Sequence, residues 1–267
     1  MDKAPQQSYY RNNEAYAEFL AGWDAGFYAK YAEALQPAQP GGRVLDVGCG
    51  VGQVVARLRE AGFEAHGVDV SEPNIARASR FSDRCQLYDG RRLPFPDRHF
   101  ASVGALNVLE HVDEPEAFIR ELVRVTGTGG RLVLSSPNFF RVFGFRDYHP
   151  RMRGLGNKWA NWKRLREKQH QMRTAPESVR FDRMTPIVKQ PFTPDDDAII
   201  ATNAPEMEFF LARAGCEVQS VSCCDRHVPR LVDVLLNLGP WRYVMFNSFL
   251  IARRLEAAEP GQPVKTR

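Results

Sequence analysis

Apolar and polar positions along the chain follow two periods. Residues 14–35 place Tyr16, Phe19, Leu20, Trp23, Phe27, Tyr31 and Leu35 at helical spacing, which predicts an amphipathic helix packed on the core. Short apolar runs then alternate with helical stretches. Arg43–Val47 reads as a strand, and Val51–Ala61 as a helix ended by Gly62. Glu64–Val70 is a second strand, followed by a helix that Ser71 caps, with Pro73 in its first turn. Further strands are expected at Cys85–Tyr88, Phe100–Leu106 and Arg131–Ser135. The helix over 115–126 opens on Asp113-Glu-Pro-Glu116, a pattern in which Asp113 caps and Glu116 reaches back. Repeated βα units of this kind predict an α/β fold with a mostly parallel sheet and helices on both faces.

The alternation stops at residues 137–200, which are rich in Arg, Pro and aromatics. It returns at Asn203-Ala-Pro-Glu206, the cap of a helix running to Ala214 and closed by Gly215. Cys216–Val221 and Tyr243–Ala252 read as strands, with an amphipathic helix near Val228–Leu238 between them. Thr193-Pro-Asp-Asp196 reads as a helix start with acids in its positive first turn, so the Asp195-Asp-Asp197 run is assigned no metal. No internal repeat is visible. The expected organisation is one domain over 1–267: a helical region at 9–40, a core at 41–138, an insertion at 139–200 and a C-terminal part at 203–254. Residues 1–8 and 256–267 read as frayed termini.

Composition changes this picture at a few points. With 43% hydrophobic and 25% charged residues, the chain is neither disordered nor collagen-like. The longest apolar stretch, near Tyr243–Ala252, is broken by Asn247 and Ser248, and no membrane span is expected. The first residues contain no apolar core of a secretory signal. Cys49, Cys85, Cys216, Cys223 and Cys224 are odd in number and lack CxxC spacing, which argues against disulfides and zinc and for a reducing cytoplasm. The net charge is only +4, but residues 141–185 hold twelve Lys/Arg against four acids. That concentration would attract an anionic partner.

Four stretches carry candidate chemistry. In Val44-Leu-Asp-Val-Gly-Cys-Gly-Val-Gly52 an apolar strand runs into a glycine-rich turn that opens a helix. Such a turn lets the backbone approach a ligand, with free N–H groups at the helix start. Gln53 stands where the dinucleotide pattern GxGxxG needs its third glycine, and Asp46 would repel a pyrophosphate. Both weaken a dehydrogenase reading and suit a nucleoside bearing a cationic amino acid. Asp69 ends the second strand, where an acid takes both hydroxyls of a ribose. Asp89, in Leu87-Tyr-Asp-Gly90, either accepts from the exocyclic amine of an adenine or serves a surface turn. Leu106-Asn-Val-Leu-Glu-His-Val112 follows the fourth strand. Ligands of open α/β sheets lie beyond the carboxyl ends of the strands, where all four stretches fall.

These stretches, together with YDGRRLPFPDRHF, NVLEHVDEPEAFIRELVRV and GGRLVLSSPN, resemble the class I S-adenosylmethionine-dependent methyltransferases. The subgroup most resembled includes the ubiquinone- and menaquinone-biosynthesis enzymes and many small-molecule methyltransferases. The resemblance is strong over about residues 40–138 and loose over 203–252. It implies a Rossmann-like seven-stranded sheet whose last strand runs antiparallel, and S-adenosylmethionine as cofactor. It also implies that Gly48, Cys49 and Gly50 line the methionine moiety, with Asp46 on its ammonium side. Asp69 would hold the ribose, Asp89 and Gly90 would border the adenine, and Asn107 would lie near the sulfonium. Gly52 and Val70 complete the implied cofactor set. One departure is Phe100-Ala101, where the family usually has Phe-Asp at the start of the fourth strand.

Methyl transfer asks little of a protein beyond in-line alignment, because the sulfonium is already activated. A base helps if the acceptor is a hydroxyl. Two candidates are His149, which Asp147 could orient, and His111, which could equally be a packing histidine beneath the cofactor. Trp159 and Trp162 share a helical face, as a lid over the acceptor, an edge-packing helix or a dimer contact. The expected acceptor is an acidic small molecule methylated on oxygen. A nucleic-acid methyltransferase is the rival enzyme, disfavoured by the absence of an NPPY-type motif. A noncatalytic cofactor-binding partner protein is the rival of another class.

Overall fold

The computed structural model describes residues 7–144, 147–187 and 193–256. The stretches read as frayed ends lie almost wholly outside these residues, as do Phe145 and Arg146 of the basic insertion. The strands are β1 (Arg43–Val47), β2 (Glu64–Asp69), β3 (Cys85–Leu87), β4 (Phe100–Leu106), β5 (Thr126–Pro137), β6 (Asp182–Arg183), β7 (Ile200–Ala201), β8 (Cys216–Ser222) and β9 (Asn247–Arg254). The helices are α1 (Gln7–Arg11), α2 (Glu14–Ala21), α3 (Ala29–Leu35), α4 (Gln53–Glu60), α5 (Glu72–Ala78), α6 (Pro115–Val125), α7 (Leu155–Thr174), α8 (Ala204–Arg213), α9 (Arg230–Asn237) and α10 (Trp241–Val244).

Seven strands form one sheet in the order β3-β2-β1-β4-β5-β9-β8. β1, β2, β3, β4 and β5 pair in parallel, and β9 runs antiparallel between β5 and β8. This is the Rossmann-like class I methyltransferase sheet. β6 and β7 make a separate two-stranded ribbon. One face of the large sheet is covered by α6 and α8, through Phe118, Ile119, Leu122, Met207 and Leu211. The other is covered by α3, α4 and α5, through Tyr31, Leu35, Val54, Leu58 and Ala78. Burial on both faces explains why β1 and β4 read as nearly continuous apolar runs. A third cluster, with Phe139, Phe140, Met152 and Leu165, seats α7 beside this body.

Two expected caps form: Ser71 accepts from Asn74 N–H, and Asn203 from Glu206 N–H. The Asp113 cap does not. α6 starts at Pro115 as expected, but with Glu114 at its cap position, and the Glu116 carboxylate accepts from Phe181 N–H. The single helix expected over 14–35 is broken, because a 3-10 turn at Ala25–Tyr28 separates α2 from α3. The Phe100-Ala101 departure has a local meaning. The register with β5 shifts between Phe100 and Ser102, so Ala101 is exposed at an irregularity while Phe100 is buried.

The helix start expected at Thr193 is a turn. Asp195 there has φ 62°, in the left-handed region that interrupts a right-handed helix. No helix of the described residues is long and apolar enough to cross a membrane.

Candidate active site

The sheet order reverses between β1 and β4, and a cavity of about 660 Å³ opens beyond the carboxyl ends of these strands. Its floor is the four stretches singled out in the sequence. Asp46, Gly48, Cys49, Gly50, Asp69, Val70, Gly90 and Asn107 all line it. Gly48 sits at φ +72°, and a Cβ there would lie 2.3 Å from Val108 Cγ2, so the turn is closed to any side chain. Asp69 is held by the backbone: Gly50 N–H donates to Oδ2 at 2.9 Å and Ser71 N–H to Oδ1 at 2.8 Å. Asp46 is buried and accepts from the Tyr31 hydroxyl at 2.8 Å. Burial pushes its carboxyl up to about 7, although the Tyr31 bond opposes the shift.

Two anticipated floor residues, Gly52 and Asp89, lie outside the cavity lining. Gly52 is absent from the lining. It caps α4 at φ +86°, where a Cβ would lie 2.9 Å from Ala78 Cα, so it permits α4 and α5 to touch. Asp89 is exposed and outside the lining, and its Oδ1 accepts from Arg91 and Arg92 N–H at 2.8 and 2.9 Å. This is the turn alternative of the sequence. Its neighbour Gly90 lines the cavity.

The walls and roof come from regions the sequence assigned elsewhere. Tyr16, Phe19, Leu20, Trp23, Phe27, Tyr28 and Tyr31 line the cavity rather than serving only as core. Thr193, Pro194, Asp195 and Asp197 close another side. The two sides meet through Tyr10, whose hydroxyl donates to Asp197 Oδ2 at 2.7 Å and lies 3.0 Å from His111 Nδ1. Because the phenol proton goes to Asp197, the ring's Nδ1 is assigned as donor to the phenol oxygen and the lone pair falls on Nε2. Burial alone would lower the His111 pKa, but the carboxylates of Asp197, Glu110 and Asp195 outweigh it and hold it above its ordinary value. The fully buried Glu110 is itself raised by burial, and its Oε2 accepts from Ser136 Oγ at 2.6 Å.

His149 is not part of this group. It is buried against Phe139, outside the cavity lining, and its Nδ1 accepts from Arg151 N–H at the start of a short 3-10 turn. Asp147 does not orient it. That carboxylate pairs with Lys158 at 2.8 Å and Arg141 at 3.4 Å. Of the described residues in 139–185, only Arg141 and Tyr148 line the cavity. Trp159 and Trp162 stack on each other at 4.9 Å on the exposed side of α7, so the lid expected of them is not over the site. The positive charge is likewise aimed elsewhere. The cavity carries Arg141 and Arg226 against Asp46, Asp69, Asp195, Asp197 and Asp225.

Comparison with known proteins agrees with this geometry. Residues 16–179 match the family described as Methyltransferase domain. A 27-O-demethylrifamycin SV methyltransferase of Amycolatopsis mediterranei is 35% identical over 109 residues, which is 38% of this chain and 40% of that protein. A ubiquinone biosynthesis O-methyltransferase of Rhodopseudomonas palustris is 33% identical over 101 residues, 36% of this chain and 40% of that protein. The chain thus spans about half or less of the length of these curated relatives. Among solved structures, an S-adenosylmethionine-dependent methyltransferase from Mesorhizobium loti aligns with TM-score 0.56 at 17% identity, covering 88% of this chain and all of that one. A counterpart from Aquifex aeolicus aligns with TM-score 0.54 at 14% identity, covering 92% of this chain and all of that one. The fold is therefore shared well beyond the conserved sequence.

S-adenosylmethionine is the cofactor that family and fold imply, and the residues fit it. Asn107 Oδ1 and Gln53 Oε1 are buried acceptors without a hydrogen-bond partner, on residues that line the cavity. Unmet acceptors beside two buried carboxylates suit a ligand that brings donors and positive charge. The chain belongs to the methyltransferase-domain family.

Proposed function

We propose that the protein is an S-adenosylmethionine-dependent methyltransferase that methylates a hydroxyl of a small molecule, with His111 as the base. The observation that carries this is His111 on the cavity wall, with Nδ1 facing Tyr10 and Asp197. When bound, the cofactor supplies an electrophilic methyl on a sulfonium. Asp46 and Asn107 would receive its amino-acid end, and Asp69 its ribose. The aromatics of 16–31 exclude water from the reaction. Nε2 of His111 accepts the acceptor's proton, and the surrounding carboxylates stabilise the resulting imidazolium. The relative named as a ubiquinone biosynthesis O-methyltransferase supports oxygen as the acceptor atom. The ubiquinone-type subgroup rests on the motifs of residues 44–138 and on one such name. We read the chain as a single domain, and its five unpaired buried cysteines suit a reducing cytoplasm.

The test uses methyl-labelled S-adenosylmethionine and a metabolite extract, with mass spectrometry of the products. The expected product carries the label on oxygen. In His111→Ala, transfer should fall about 10²–10⁴-fold while cofactor affinity holds. Because the pKa of His111 is raised and the base acts unprotonated, wild-type turnover should rise with pH through a midpoint above its ordinary value. A label on nitrogen or carbon only, or full turnover in His111→Ala, removes the base from the reaction.

A second pH effect follows from Asp46. A cationic ligand favours the ionised carboxyl, and in the free protein that group titrates at about 7. Below that pH the ligand must displace a proton, so affinity should fall by up to about tenfold per pH unit. Calorimetry in buffers of different ionisation enthalpy should show up to one proton released on binding. A pH-independent affinity with no proton release contradicts the Asp46 assignment.

A further inference from the structure

The cavity wall formed by α9 has an outer side that the site does not use. Val228, Val232 and Leu236 line the cavity. Leu231, Val234 and Leu235 point the other way and are 72%, 53% and 59% exposed. Leu238 and Trp241 extend this apolar face, and Phe143 rests edge-on against Trp241 at 5.1 Å. An apolar patch of this extent on one short helix and turn is more than a solvated surface needs.

The flanks of the face are basic. Arg226 and Arg230 are exposed and Arg242 is half-buried, with its guanidinium over the Tyr243 ring. The acid on the helix, Asp233, is met by Lys30 at 3.9 Å and by Asn237. Arg226 and Val232 are both exposed and both line the cavity, so its mouth opens beside this face.

We propose that α9 and α10 form a docking face for an anionic lipid bilayer. Leucines would enter the acyl boundary, Trp241 would sit at the headgroup level, and the arginines would meet lipid phosphates. Charge decides between a bilayer and a second copy of the chain. A two-fold pairing of this face sets its three arginines against the same three arginines, whereas an anionic surface neutralises them. Docking here places the cavity mouth at the bilayer. On the methyltransferase reading, the acceptor is then an apolar molecule that partitions into the membrane rather than a water-soluble acid.

The test is co-sedimentation of the full chain, without cofactor, with vesicles of equimolar phosphatidylcholine and phosphatidylglycerol. The protein should pellet with these vesicles, pellet less as salt is raised, and stay in solution with phosphatidylcholine alone. Leu231→Glu combined with Leu235→Glu should lower the bound fraction at least about tenfold. Arg230→Glu is a second variant and should weaken binding to anionic vesicles without touching the apolar side chains. Unchanged S-adenosylmethionine affinity in each variant certifies the fold and separates this result from the methyltransferase reading. The proposal is overturned if the wild type ignores anionic vesicles or if the variants bind them equally well. It is also overturned if light scattering shows a dimer that Leu235→Glu dissociates while vesicles bind neither form.

Discussion

Asp69→Ala is expected to weaken S-adenosylmethionine binding by about two to four orders of magnitude. On the proposed reading a ribose diol would donate two charge-assisted hydrogen bonds to this carboxylate, each worth about 1.5–3 kcal/mol. The carboxylate is aimed by the chain before any ligand arrives, through Gly50 and Ser71 N–H. Alanine therefore also strips two backbone donors of their acceptor and loosens the glycine turn at Gly50. Asp69→Asn keeps one acceptor oxygen and separates these effects, since it preserves part of the turn while losing the charge. Calorimetry on variants whose circular dichroism shows the folded state reads the affinity directly. An unchanged dissociation constant in folded Asp69→Ala would falsify the ribose assignment.

Lys168→Met is expected to produce the largest loss of stability, with no change at the site. Lys168 is buried on α7, and its ammonium forms ion pairs with Asp182 and Glu206, each at 2.8 Å, and donates to the Arg180 carbonyl. Methionine keeps the stem's volume and removes the charge, leaving Glu206, which is fully buried on α8, without its cation. Breaking a buried pair from one side costs about 3–5 kcal/mol. For a chain of this size that lowers Tm by roughly 6–20 °C. Lys168 does not line the cavity, so cofactor affinity should hold below the transition. A thermal scan that superimposes on the wild type would show that this ion pair does not join α7 to the body of the fold.

The floor of the site was legible because its chemistry is local. The strand ends at Val47, Asp69 and Leu106 follow from apolar runs, and the glycine turn and acids lie within a few residues of those ends. Asp89 and Gly52 fall outside the cavity lining for a local reason as well. An acid before Gly-Arg-Arg caps its own turn as readily as it reaches a ligand, and a glycine at a helix start can serve helix packing alone. The roof was not legible because it is a long-range assembly. Helical spacing of aromatics at 16–31 shows that one side is buried, but not whether it faces a core or a cavity. Nothing in Thr193–Asp197 announces that Asp195 turns left-handed and brings Asp197 to Tyr10, 187 residues away in the chain. The basic insertion misled through its total charge, because some of its cations pair with its own acids, as Lys158 does with Asp147 and Arg164 with Asp182, and of the described ones only Arg141 lines the cavity.

The place of β9 has a consequence for synthesis. It is the last strand of the described residues, yet it lies inside the sheet, with β5 on one side and β8 on the other. Until it is made, Arg131–Pro137 of β5 carry a row of unpaired backbone groups on an edge that includes the apolar run Leu132–Leu134. Residues 138–254 take roughly 6–23 s to translate at ~5–20 residues per second. During that interval the nascent chain holds the floor of its active site together with an open, sticky strand edge. Its vulnerability to aggregation is thus set by translation speed, and slowing the ribosome late in the message lengthens the hazard without altering a single contact of the finished protein.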